Sequence, residues 1–175
     1  MKRFLLFLLI ALALGTAAFA DHEGFGIGIL GGGGGGFGTH GYGNVGLSLK
    51  VPQVPIFWGL YGNFLRNYPG FGVTADYYFL DANLVSDTLT NEDGNYNFKL
   101  DWYVGIGGFF NLFVGRSTNY FDTGVRVPIG LSWHIIRQLE LFLDVAPNIG
   151  ITNWRSSRLH FGVIAELGLR YWINN

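Results

Sequence analysis

The chain has 175 residues, of which 49% are hydrophobic, 17% aromatic and only 13% charged, with 28 glycines and no cysteine. Length and composition allow one compact domain with a surface unlike that of a soluble protein, where about a quarter of residues carry charge. The formal net charge of -1 leaves no basic field for nucleic acid, and the missing cysteines exclude disulfides, thiolate metal sites and a lipidated anchor.

Lys2 and Arg3 precede an apolar run from Phe4 to Leu14, and Ala18-Phe19-Ala20 has the small-x-small form of a cleavage site. Residues 1–20 therefore read as a cleaved signal peptide, because the run is far shorter than the roughly 20 residues of a spanning helix. The mature domain is then 21–175, with a net charge of -3 once Lys2 and Arg3 are removed. No later window resembles a membrane helix, so a membrane form of this chain must be a β-barrel.

Alternation at period two runs through the mature chain. Phe25, Ile27 and Ile29 alternate with glycines and lead into the run Gly31–Gly36, which reads as a flexible or closely packed loop. Val45, Leu47, Leu49 and Val51 form the second strand; Ile56, Trp58, Leu60 and Phe64 the third; Phe71, Val73, Ala75, Tyr77 and Phe79 the fourth. The fifth carries Phe98, Leu100, Trp102, Val104 and Ile106, in a phase that can persist to Val114. In the sixth, Phe121, Val125, Val127, Ile129, Leu131, Trp133 and Ile135 share a face, with Thr123 a mild exception and Pro128 marking a local break. Leu139 to Val145 and Leu159 to Ile173 complete the count of eight. Connections are expected at Pro52 to Pro55, at Arg66 to Gly70, at Ser86 to Asn95, and from Pro147-Asn148 onward.

The second face of these strands is mostly Gly and Ser with sparse charges, which suits a crowded lumen; a soluble barrel would carry a Lys- and Glu-rich exterior. The expected architecture is all-β, an eight-stranded antiparallel up-and-down transmembrane β-barrel whose apolar face meets lipid. The lumen positions hold Lys50, Asp76, Lys99, Asp101, Asp122, Arg126, Glu140, Asp144, Glu166 and Arg170. These form either a salt-bridge network that fills the barrel or the lining of a narrow path. Trp58, Tyr77, Trp102, Trp133 and Tyr171 form an aromatic girdle at the periplasmic ends of the strands, if the mature N-terminus lies in the periplasm. Phe64, Phe71, Phe110, Phe121 and Phe161 occupy the opposite ends, beyond which Arg66, Arg116, Arg155 and Arg158 form an external basic rim. Asp21, Glu23, Asp81, Asp87, Glu92 and Asp93 gather at the periplasmic end, opposed only by Arg137.

The signal peptide, the eight amphipathic strands, the charged lumen and the C-terminal strand with Gly168-Leu169-Arg170-Tyr171-Trp172 resemble the small OmpA/OmpX-like outer-membrane β-barrels of diderm bacteria. The glycine-rich first hairpin and the run Gly124-Val125-Arg126-Val127-Pro128-Ile129-Gly130 resemble more particularly the small barrels of spirochaetes. The resemblance implies an integral outer-membrane protein delivered by the barrel-assembly machinery, which reads a terminal aromatic; here Ile173-Asn174-Asn175 follow Trp172.

No catalytic, cofactor-binding or metal-binding set emerges. Gly26-Ile27-Gly28-Ile29-Leu30-Gly31 matches GxGxxG but lacks the following helix and acidic residue. Ser156, Ser157 and His160 lie close in sequence, but Glu166 lies six residues from His160, about 20 Å along a strand, and Ser132 and His134 sit near the periplasmic end, so a lipid-modifying hydrolase is a distant alternative. His22, His40, His134 and His160 show no ligand spacing. The sequence thus points to a structural or surface-interaction role, adhesin-like, through short external loops, with a narrow pore as the alternative. The partners implied are the lipid bilayer and an anionic glycolipid or host polyanion at the arginine rim, with no nucleic acid and no cofactor.

Overall fold

The computed structural model describes residues 24–37, 39–65, 68–91, 94–115, 119–153 and 157–173, with backbone alone for residues 39, 40, 87–91 and 94–97. Nine strand segments follow one another: β1 Phe25–Phe37, β2 Thr39–Lys50, β3 Phe57–Leu65, β4 Tyr68–Asn91, β5 Gly94–Val114, β6 Asn119–Arg126, β7 Ile129–Ile136, β8 Leu139–Thr152 and β9 Arg158–Ile173. All pairings are antiparallel, and each segment pairs with its neighbours in a continuous sheet. The sheet closes on itself where β1 pairs β9 from Phe25↔Ile173 to Phe37↔Phe161.

β6 and β7 occupy one position in the ring, because β5 and β8 each pair with both. Register passes through the interruption: Arg126 lies opposite Asn148 and Gly130 opposite Asp144. Gly105 N donates to Pro128 O at 2.8 Å and Val127 N to Pro147 O at 2.9 Å, while each proline has no N–H to return. The break expected at Pro128 is therefore a local loss of ladder bonds within one continuous strand, and the fold is an eight-stranded antiparallel barrel.

Four boundaries differ from the sequence reading. Gly31–Gly36 is not a loop: it continues β1, paired with both β2 and β9. A side chain at Gly32 would overlap the backbone of Ala165 and Glu166, and one at Gly36 that of Phe161 and Gly162, so glycine permits the close approach of these strands. Pro147 does not open a connection, since β8 runs on to Thr152. The expected connection from Ser86 to Asn95 is instead a hairpin: β4 and β5 stay paired out to Asn91↔Gly94. Tyr68, Pro69 and Gly70 likewise belong to β4, leaving only residues 66–67 between β3 and β4.

The two faces divide cleanly. Among the residues whose side chains are described, outward positions of the ring strands carry no Asp, Glu, Lys or Arg. They expose large apolar side chains all round, including Ile29 at 62%, Val125, Leu143, Val163 and Leu159 at 63%. Thr123 is an outward hydroxyl, and its Oγ1 donates to Phe109 O at 2.9 Å, which removes the cost of an unpaired polar group. The inward face is the core, and it is largely polar. Inward glycines make room for the rings: a methyl at Gly168 would overlap Phe142, one at Gly130 would overlap Tyr103, and one at Gly72 would overlap Tyr61.

Candidate functional site

Among the described residues, charged groups gather in the interior. The end of the ring that holds Phe25 and Ile173 is its proximal end, and the opposite end is distal. At the proximal mouth Asp101 is buried, with Lys99 Nζ at 3.2 Å, Asn83 Nδ2 at 2.9 Å and His134 Nδ1 at 3.7 Å. Lys50 is inward as expected but meets no carboxylate. Its Nζ donates to Val51 O at 3.0 Å and Val54 O at 3.1 Å, so it closes the β2–β3 turn.

Above the mouth, the rings of Phe57, Tyr78 and Tyr103 stack with successive centroids 4.3 Å apart. Arg170 lies against this stack, with its guanidinium 4.7 Å from the Phe57 ring centroid and 4.5 Å from that of Phe142. Its Nη1 donates to both oxygens of Glu140, at 3.0 and 2.8 Å, and its Nε and Nη2 both reach Ser48 Oγ. Glu140 also accepts from Trp172 Nε1 at 2.6 Å and Ser132 Oγ at 2.8 Å. A carboxylate so supplied with donors is compensated for its burial.

One layer further up, Arg126 faces three carboxylates. Glu166 lies 2.8 Å from its Nη2, Asp144 3.3 Å from the same nitrogen and Asp76 3.4 Å from Nε. Tyr103 OH donates to the second oxygen of Asp144 at 3.2 Å, and Asn44 Nδ2 to the second oxygen of Glu166 at 3.4 Å. A small polar cavity adjoins this cluster, lined among others by Ser48, Thr74, Asp76, Asp144, Glu166 and Arg170, with room for about one water molecule.

Toward the distal end the interior becomes amidic and aromatic. Asn63 donates to Asn111 at 2.8 Å, and Asp122 pairs with His160 Nε2 at 2.5 Å. His160 Nδ1 is buried without a hydrogen-bond partner, and the edge of Phe109 packs against its ring. Tyr42, Phe113, Tyr120 and Tyr68 form a chain of ring contacts across the distal mouth.

The structure thus turns all ten lumen residues inward and assembles eight of them into ion pairs, with Asp122 bonded to His160 and Lys50 aside. His134 and His160 join this set: neither has a metal-ligand spacing in the sequence, but both fall on the polar face of their strands. Ser132 Oγ is committed to Glu140, and Asp122–His160 holds no hydroxyl, so neither pair has the geometry of an activated nucleophile. Among the described residues no group of three or more His, Cys, Asp or Glu side chains is arranged to hold a metal ion.

The girdle residues Trp58, Tyr77, Trp102, Trp133 and Tyr171 all sit outward on the proximal half, with Tyr77, Trp133 and Tyr171 exposed. Of the basic rim, Arg158 is exposed at the distal end of β9, and Arg66, Arg116 and Arg155 lie outside the described residues. The acidic positions Asp21, Glu23, Glu92 and Asp93 also lie outside them.

Residues 44–171 match the family described as "Protein of unknown function (DUF3996)". No curated protein matches the chain. Among solved structures, the N-terminal β-barrel domain of Pseudomonas aeruginosa OprF is similar at 10% identity and a TM-score of 0.47, covering 85% of this chain and 97% of that one. Neisserial surface protein A (NspA) is similar at 11% identity with the same TM-score and coverage.

Proposed function

The chain belongs to the DUF3996 family, and we propose that it is an integral outer-membrane β-barrel with a filled lumen and a structural or surface-interaction role. The observation that carries this reading is the inversion of polarity. A closed ring buries Arg126, Arg170, Glu140, Asp144 and Glu166 within it and presents an uncharged apolar surface all round outside. Water would penalise such an exterior, whereas hydrocarbon requires it where the closed ring leaves no open strand edge.

In this reading residues 1–20 are removed on export and the proximal end faces the periplasm. The distal connections at residue 38 and at 66–67, 115–118 and 153–157 then face the outside, with Arg66, Arg116, Arg155 and Arg158 as the elements that meet an anionic glycolipid or host polyanion. The stacked rings and the ion network favour a closed lumen over a conducting path, since eight strands enclose little more than side chains can fill. Folded protein should run faster on a gel when cold than when boiled, and should stay silent in a planar bilayer. Cold and boiled bands of equal mobility in every detergent and lipid tried would sink the barrel reading; regular conductance steps from a verified barrel would replace the filled lumen with a narrow pore. Loss of binding to lipopolysaccharide or heparin when Arg155 and Arg158 become Ser would support the rim as the contact surface, and unchanged binding would remove it.

A further inference from the structure

β4 outruns its neighbour on one side. It pairs β3 only from Leu65↔Tyr68 to Phe57↔Asp76, and from Tyr77 to Asn91 its outer edge meets no strand among the described residues. Its other edge stays on β5, which is itself held by β7 from Lys99 upward. The sheet therefore extends at the proximal end beyond β3, backed by β7 as far as Lys99 and two-stranded from there to Asn91 and Gly94.

Two β-bulges, at Phe79 and at Leu84, control which way this extension faces. Past the first, Leu80 and Ala82 lie opposite Val104 and Trp102; past the second, Val85 lies opposite Leu100. Directly opposed residues share a face, so Leu80, Ala82 and Val85 remain outward, in line with the apolar belt of the barrel. Asp81, Asn83 and Ser86, opposite Tyr103, Asp101 and Lys99, remain on the polar side, and the apolar run ends at Val85, because the next position of the outward register, paired with Phe98, is Asp87. Leu84 and Val85 are 51% and 48% exposed, and Phe98 rests against Trp133 with centroids 5.8 Å apart.

The two properties conflict in any single solvent. The apolar face favours hydrocarbon, whereas an unpaired strand edge is excluded from it because its N–H and C=O groups need partners. The headgroup–acyl boundary satisfies both, since water reaches the edge there while apolar side chains dip inward, as they do from interfacial amphipathic elements. We propose that the β4–β5 extension is a membrane-interface skirt: it lies against the leaflet on the proximal side, with Leu80, Leu84, Val85 and Leu100 in the acyl boundary and the edge of β4 that pairs with no described strand in water. The skirt rests on the membrane reading given above, and its continuity with the belt names the bilayer as its occupant.

Because the chain has no cysteine, single labels report position directly. Leu84→Cys, Val145→Cys in the belt and Arg137→Cys in the β7–β8 turn, each carrying an environment-sensitive fluorophore, would be folded into phosphatidylcholine nanodiscs. Quenching would be read with nitroxide lipids labelled near the carbonyl or near the chain end, and with aqueous iodide. The skirt predicts that the Leu84 label is quenched most by the shallow nitroxide and is several-fold less accessible to iodide than the Arg137 label. A Leu84 label as open to iodide as that at Arg137, beside a Val145 label quenched by lipid, overturns the skirt and leaves the barrel standing. Strongest quenching of Leu84 by the chain-end nitroxide also overturns it, because the edge would then have to be paired inside the hydrocarbon by a second copy. A Val145 label untouched by either nitroxide overturns the membrane reading itself, and the skirt with it.

Discussion

One guanidinium nitrogen of Arg170 touches both carboxylate oxygens of Glu140, at 3.0 and 2.8 Å, across the β8–β9 seam where the two residues are directly paired. Both side chains are buried, so each is the other's main compensation for lost hydration. Removing one partner strands a charge. Arg170→Ala should destabilise the barrel by about 3–5 kcal/mol, whereas replacing both residues with apolar ones of similar volume, Arg170→Met with Glu140→Leu, should cost much less. Urea unfolding followed by the cold-to-boiled mobility shift would measure both; an additive double variant would mean that the pair does not act as a unit.

Strand faces were legible in the sequence because alternation at period two is a property of the pleat itself, and it separated the ten lumen charges from the belt without knowledge of the neighbours. What escaped are places where the period fails or is empty. Gly31–Gly36 has no side chains to alternate, so its place in β1 follows only from how closely β2 and β9 approach. The doublets Phe79-Leu80 and Leu84-Val85 interrupt the alternation and mimic a strand end, although each marks a bulge that rotates the apolar set back to the same face. Two adjacent apolar residues inside an alternating run are the signal that would have found them. The partners of each charge were beyond reach, since Arg126 draws Asp76, Asp144 and Glu166 from three separate strands, and nothing in the spacing near Lys50 foretells its two carbonyl acceptors.

The belt can be probed by depth. Leu167 lies outward near the middle of β9 and Ile173 at its proximal end, so the same substitution samples two levels of one strand. Leu167→Arg should cost about 2–4 kcal/mol in a bilayer and Ile173→Arg about 0–1 kcal/mol. Chemical denaturation in vesicles provides the comparison. Equal small costs at both positions would mean that the apolar face meets something other than hydrocarbon.

Glycines on the two faces should behave oppositely. Gly168 faces the Phe142 ring and the backbone of β1, and an added methyl would overlap both. Gly43 is outward, and a methyl there would meet nothing nearer than Gly32 O at 3.7 Å. Gly168→Ala should therefore destabilise by about 1–3 kcal/mol, while Gly43→Ala should be neutral or stabilising by about 0.5–1 kcal/mol, because strand glycine carries an entropic cost. Thermal mobility shifts of the two variants would decide, and the reverse order would contradict the assignment of faces.

The stack of Phe57, Tyr78 and Tyr103 fills part of the proximal side of the lumen, and Phe57 and Tyr78 line the small cavity beside the Arg126 cluster. These rings come from β3, β4 and β5, three consecutive staves, so deleting two of them removes filling from the interior while the ladder pairs of the wall remain. In an eight-stranded barrel the side chains are what occupies the space. Phe57→Ala with Tyr78→Ala should then give small, irregular conductance steps in a planar bilayer where the unaltered protein is silent. Wall integrity is checked by a retained cold-to-boiled shift, so that leakage from an unfolded sample is separated from passage through the lumen. If the double variant keeps its shift and stays silent, the seal lies higher, at the Arg126 cluster or at the ring contacts of Tyr42, Phe113 and Tyr120, and removal of Phe113 becomes the informative substitution.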